Sequence, residues 1–188
     1  MTNSIGDREL LIPLRIAAEQ ILSKALNSQI QIDRLERMTE TGRRNLLLRC
    51  WIEPVENLSA SFIIKKVEGD YSPEHYKSAD TRRIFNDWIG TQFLNTVSPE
   101  LHHSPRFYGG DRRLGLIIIE DVQHRHSLVE PLLGGDRSLA EWALLQYATC
   151  LGQLHRDTVG KVGEFERLYR TLAPKMEFTR ASLNIQQL

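Results

Sequence analysis

Ala60-Ser61-Phe62-Ile63-Ile64-Lys65-Lys66-Val67 is strand-like, its apolar run Phe62-Ile63-Ile64 is closed by Lys65, and the chain on either side is read from it. A short apolar run bounded by polar segments indicates a buried strand. A lysine at its end can lay its aliphatic stem along the sheet while the ammonium reaches a cleft. Alternation puts Lys65 on the face of Ile63, and Lys66 on the face of Phe62 and Ile64. Lys65 is therefore the candidate for chemistry. Upstream, Gln29 to Met38 and Asn45 to Ile52 are also strand-like. They are set off by Thr39-Glu40-Thr41-Gly42-Arg43-Arg44 and by Glu53-Pro54-Val55-Glu56-Asn57, both turn-like in composition. Short strands joined by short polar turns indicate an antiparallel meander.

Before the meander, Leu14, Ala17, Ala18, Ile21, Leu22 and Ala25 recur at helical spacing, which predicts a helix over roughly 13–26 with Pro13 in its first turn. After it, polar residues Glu68 to Ser78 lead into a second helix that Asp80 can cap. Ile84, Phe85, Trp88, Ile89 and Phe93 mark its buried face. Two more strands are expected, Arg106-Phe107-Tyr108 and Leu114 to Ile119, joined by a Gly109-Gly110-Asp111 turn. From residue 128 the pattern is helical: a short piece to Leu133, then a strong helix opened by Ser138 and Glu141 as a capping box. Its face is Leu139, Trp142, Ala143, Tyr147, Cys150, Leu151 and Leu154. One or two weaker helical patterns follow, interrupted by Pro174. The expected fold is α+β: a lobe of about five antiparallel strands with one packed helix over 1–122, then a linker and the helical start of a second lobe over 123–188.

The 188 residues carry 24 basic and 24 acidic side chains, so no chain-wide field favours nucleic acid or an anionic membrane. No basic run suggests a phosphate-backbone groove. Cys50 and Cys150 are too few and too far apart for a disulfide scaffold or a zinc site, which suits a cytoplasmic protein. No apolar run is long enough to span a membrane, and the first residues do not read as a signal peptide.

Three further features bear on chemistry. Asp87 follows Lys65 on the second helix, at the margin of its buried face, where a carboxylate can steady the ammonium. The bland reading is a strand-end lysine and a solvated acid. Gly42-Arg43-Arg44-Asn45 joins two strands; its glycine would let backbone amides approach phosphate oxygens and Arg43 would add charge, or it is a plain turn. Glu120-Asp121-Val122 follows a fully apolar strand. An extended connector there could offer adenine the Glu120 carbonyl and the Val122 amide, with Ile119 at the rear and Ile63 against the ring. Alternatively, the acids merely solubilise a strand end.

His155-Arg156-Asp157 spells a protein-kinase catalytic triplet, but Val162 stands where a metal-binding Asn is expected, and no aspartate follows Asp157. It reads as a helix end. His102-His103 and His124/His126 lack metal-ligand spacing.

Taken in order, these segments resemble the aminoglycoside phosphotransferase family, which shares the two-lobed protein-kinase fold. The resemblance spans roughly residues 30–160. It rests on Gly42-Arg43-Arg44-Asn45, Ser61 to Lys65, Phe85-Asn86-Asp87-Trp88, Pro105 to Asp111, Ile119-Glu120-Asp121 and Leu151-Gly152-Gln153-Leu154-His155. It implies that Lys65 contacts the phosphates of ATP, that Glu120 and Val122 hold adenine, and that Asp87 stands where the family usually shows glutamate. The family's His-Gly-Asp loop and its metal-site aspartate have no counterpart in this sequence. The expectation is an ATP-binding portion without its catalytic half, inactive in phosphoryl transfer to a hydroxyl, with magnesium expected only alongside a complete second lobe. The other expectation is a non-enzymatic nucleotide-binding or interaction module, meeting a partner or a second copy through the apolar helical face around Trp142, Tyr147 and Leu151.

Overall fold

The computed structural model describes residues 5–39, 45–74, 76, 78–99, 104–122 and 127–176. Helix α1 (Ile5–Leu26) is followed by strands β1 (Ile32–Arg37), β2 (Asn45–Ile52) and β3 (Ser61–Val67). Then come helix α2 (Ala79–Val97), strands β4 (Phe107–Asp111) and β5 (Leu116–Glu120), and helices α3 (Val129–Leu133), α4 (Arg137–Thr158) and α5 (Val162–Leu172). The strands form one antiparallel sheet in the order β1-β2-β3-β5-β4. The chain is thus α+β with a five-stranded antiparallel sheet.

Period-two alternation builds both sides of this sheet. Leu46, Leu48, Cys50 and Ile52 of β2, Phe62 and Ile64 of β3, and Leu116 and Ile118 of β5 are buried together with Leu14, Ala17, Ala18 and Leu22 of α1. The opposite face contributes Val67 and Ile117 to a second cluster with Ile84, Phe85, Trp88 and Ile89 of α2. Burying a side chain such as Phe85 or Ile89 stabilises by about 1.5–3 kcal/mol, so two helices clamp the sheet from opposite sides.

Several local expectations are corrected. Helix α1 begins at Ile5, so Pro13 lies inside it, where it forfeits one backbone hydrogen bond. Ala25 is exposed, and Leu26 packs against the core in its place. Ser78, not Asp80, caps α2: its hydroxyl accepts from the Asp80 and Thr81 amides. Asp136, not Ser138, caps α4, its carboxylate accepting from the Leu139 amide.

Gly109-Gly110-Asp111 is strand rather than turn; the turn lies at 112–115. The reason is tertiary. A Cβ on Gly110 would lie 2.6 Å from the Trp88 ring and 2.7 Å from the Leu116 carbonyl oxygen, so only glycine lets α2 approach β4 this closely. Gly109, at φ +144°, sits where the β4–β5 register shifts.

The helices after residue 127 behave differently from one another. In α5, Tyr169 is buried in the same cluster as α2, and Phe165 meets Phe93 edge-on at 5.1 Å. In α4 only Ala143 is buried; Leu139, Trp142, Leu144, Leu145 and Tyr147 are exposed, Trp142 at 59%. Of the expected α4 face, Ala143 alone is buried, Leu151 and Leu154 are half-buried, and the rest is exposed. No described helix is long and apolar enough to cross a membrane.

Candidate functional site

Strand β3 lies between β2 and β5, so its backbone is bonded along both edges and the roots of its side chains are fixed. On the α2-facing side, the register lays out rows across the sheet. Leu47, Lys65 and Ile117 form one row, and Arg49, Ile63 and Ile119 the next, about 7 Å along the strand. Asn45 opposes Val67 at the other end of the same face. Lys66 takes the α1 side, where its ammonium donates to the Val67 carbonyl at 2.7 Å; burial lowers its pKa, and Glu68 acts against that shift.

Lys65 and Asp87 meet. The ammonium lies 2.7 Å from a carboxylate oxygen of Asp87, with 25% and 34% of the two side chains exposed. Helix phase explains the encounter. With Ile84, Phe85, Trp88 and Ile89 buried against the sheet and α5, Asp87 emerges at the margin of that face. Aspartate, one methylene shorter than glutamate, spans the gap at this position of α2. An ammonium carries three donors, so one bond to Asp87 leaves capacity for an anionic ligand.

At the end of β5 a second charged group is built, one that sequence reasoning missed. The Asp121 side chain is only 3% exposed, and one of its oxygens accepts from Arg49 Nε at 2.7 Å and from Ser61 Oγ at 2.8 Å. It thereby ties the residues just beyond β5 to β2 and β3. The signal available was the alternation that puts Arg49 on the face of Ile63 rather than in solvent; nothing local paired it with a residue 72 positions away. Glu120 is engaged with β4: its amide donates to the Arg106 carbonyl at 2.8 Å, and its carboxylate accepts from the Arg106 amide. Val122 is 40% exposed, Ile63 is buried and Ile119 is half-buried.

Of the residues singled out from sequence, the structure thus brings Lys65, Asp87, Asn45, Ile63 and Ile119 to one side of the sheet, with Glu120 and Val122 at its end. Gly42 and Arg43 lie outside the described residues, as do His102, His103, His124 and His126. Asp157 sits in the last turn of α4, where it accepts from the Ser98 hydroxyl at 2.8 Å and from Arg156 Nε at 2.9 Å. Ser98 ends α2, so these contacts give Asp157 a structural role in joining two helix ends.

Set against the needs of a nucleotide, this face offers a cation for phosphate, apolar side chains for a ring, and the backbone at the end of β5. Among the described residues no group of three His, Cys, Asp or Glu side chains could hold a metal ion. Neither the models of known protein families nor the curated proteins match this chain.

Proposed function

We propose that the chain is the nucleotide-binding part of a small-molecule kinase of the aminoglycoside phosphotransferase kind, with the sheet and α2 forming its kinase-like N-terminal lobe. The observation that carries the reading is the 2.7 Å pairing of Lys65 with Asp87 on the sheet face shared with Ile63 and Ile119. In such a lobe the lysine holds phosphate oxygens of ATP, and the helix acid keeps the ammonium extended toward them. The order of the strands along the chain and the position of α2 between β3 and β4 support the same reading. The proposal covers nucleotide binding. No general base is assigned, because Asp157 is occupied by Ser98 and Arg156.

Titration of the full chain with ATP, with and without magnesium, followed by unfolding, tests it. Free ATP at a hundred times its dissociation constant should stabilise the fold by about 2.7 kcal/mol. Absence of any shift at millimolar ATP would overturn it. The exposed apolar residues of α3 and α4 favour a second reading, a protein-interaction module. In that case sedimentation would show association while ATP leaves the melting curve unmoved.

A further inference from the structure

The residues just past β5 have a holding device of their own. The β3–β5 ladder runs as far as Phe62 opposite Glu120, so Asp121 is the first residue beyond it and falls opposite Ser61. There the side chain takes over from the ladder. A single carboxylate oxygen of Asp121 gathers the Ser61 hydroxyl at 2.8 Å and the Arg49 guanidinium at 2.7 Å. Arg49 stands on β2, so its side chain reaches over β3 to make this bond.

Burying a carboxylate this completely carries a large desolvation cost. A strand that needed only to end could do so with an exposed acid at no such cost. The charge-assisted bonds offset the cost, and they fix the direction in which the chain leaves the sheet. The neighbouring residues Glu120 and Val122 are those whose backbone groups would meet a nucleobase. Base recognition by backbone needs donor and acceptor held in place before the ligand arrives, because ordering them on binding subtracts from affinity.

We propose that Asp121 is a positioning residue for nucleobase recognition, acting with Arg49 and Ser61 to preset the connector at 120–122. The inference rests on the nucleotide-binding reading above and deepens it. Lys65 and Asp87 serve the phosphate end of the ligand. The Arg49–Asp121–Ser61 group serves the base end, one to two rows away on the same face. The two groups therefore contribute separately, and a ligand lacking a base should feel only the first.

Isothermal titration of the full chain with ATP and with inorganic triphosphate, for the wild type and for Asp121→Asn, Arg49→Met and Ser61→Ala, tests this. Asp121→Asn and Arg49→Met should each weaken ATP at least tenfold, and Ser61→Ala three- to fivefold. Triphosphate affinity should stay within twofold of the wild type in every variant that retains the native near-ultraviolet spectrum. Ser61→Ala removes one hydrogen bond without unpairing the ions, so it carries the test if either charge variant fails to fold. A purely structural role would leave the ratio of ATP to triphosphate affinity unchanged. Equal losses for both ligands, or no loss for ATP, would overturn the inference while leaving the nucleotide reading intact. A wild type that binds triphosphate as tightly as ATP would refute base recognition at this connector. A wild type that binds neither ligand would remove the nucleotide reading itself, and this inference with it.

Discussion

Replacing Lys65 by methionine separates what the ion pair does for the fold from what it does for a ligand. A quarter of the Lys65 side chain and a third of Asp87 are exposed, so water screens the attraction between them. Such pairs stabilise folded proteins by at most about 1 kcal/mol. Methionine keeps much of the aliphatic stem that lies between Leu47 and Ile117. Lys65→Met should therefore cost no more than about 1 kcal/mol in a urea titration followed by tryptophan fluorescence. Binding should respond far more strongly. A hydrogen bond to a charged group contributes about 1.5–3 kcal/mol, which corresponds to roughly a 12- to 140-fold loss in affinity for ATP. Asp87→Asn should act in the same direction and more weakly, since the ammonium remains but is held less firmly. Calorimetric titration of ATP against the three proteins reads both effects. An Lys65→Met protein that binds ATP within twofold of the wild type would refute the assignment of the phosphate contact. A stability loss above about 3 kcal/mol would instead mark the pair as a buried structural bridge.

Other expectations concern the framework of the site. Gly110→Ala should destabilise by about 1–3 kcal/mol in chemical denaturation, because the new methyl meets the Trp88 ring and the Leu116 carbonyl at under 3 Å; a change below about 0.5 kcal/mol would contradict the close approach of α2 to β4. Ser78→Ala should cost about 1 kcal/mol by removing the α2 cap, and Asp80→Ala less, a ranking that reverses if Asp80 is the true cap. A thiol reagent should modify Cys150 in the native protein and reach Cys50 only after unfolding, since Cys50 is fully buried and burial pushes its pKa up to about 12. Burial likewise raises Tyr71 to about 12, so both groups are neutral in the fold at pH values where the unfolded chain has released their protons. Their stabilisation is complete below the unfolded-state pKa of the thiol, 9.0, and is lost as pH climbs toward 12. Urea midpoints should fall steadily above pH 9, less steeply in Cys50→Val.

The parts of this fold that could be read from sequence are those set by local periodicity. Strand β2 occupies Asn45–Ile52 as its alternation indicates, because Leu46, Leu48, Cys50 and Ile52 all turn inward against α1. The face of α2 is legible for the same reason: Ile84, Phe85, Trp88, Ile89 and Phe93 share one side of the cylinder and all are buried. Strand parity and helix phase together were enough to bring Lys65 toward Asp87. Where reading failed, a distant neighbour had decided the outcome. Gly109 and Gly110 look like a turn in isolation, yet they belong to a strand in which Ile21 crowds the first and the Trp88 indole the second, leaving no space for a side chain. The caps shifted by two residues because Ser78 and Asp136 compete with nearby residues of equal capping ability, and the chain's approach to each helix settles which one wins. The Arg49–Asp121 bond was illegible: a charged residue within a strand gives no sign of the acid across the sheet that accepts from it.

The place of Lys65 in the middle strand has a dynamic consequence. Its amide and carbonyl belong to a ladder with strands on either side, so hydrogen exchange along β3 should be among the slowest in the molecule. The root of the side chain is therefore nearly motionless, and any accommodation of a guest must come from its own torsions or from sliding of α2. Asp87 rides on that helix, so on its side of the pair the backbone can shift as well as the side chain, whereas Lys65 has only its torsions.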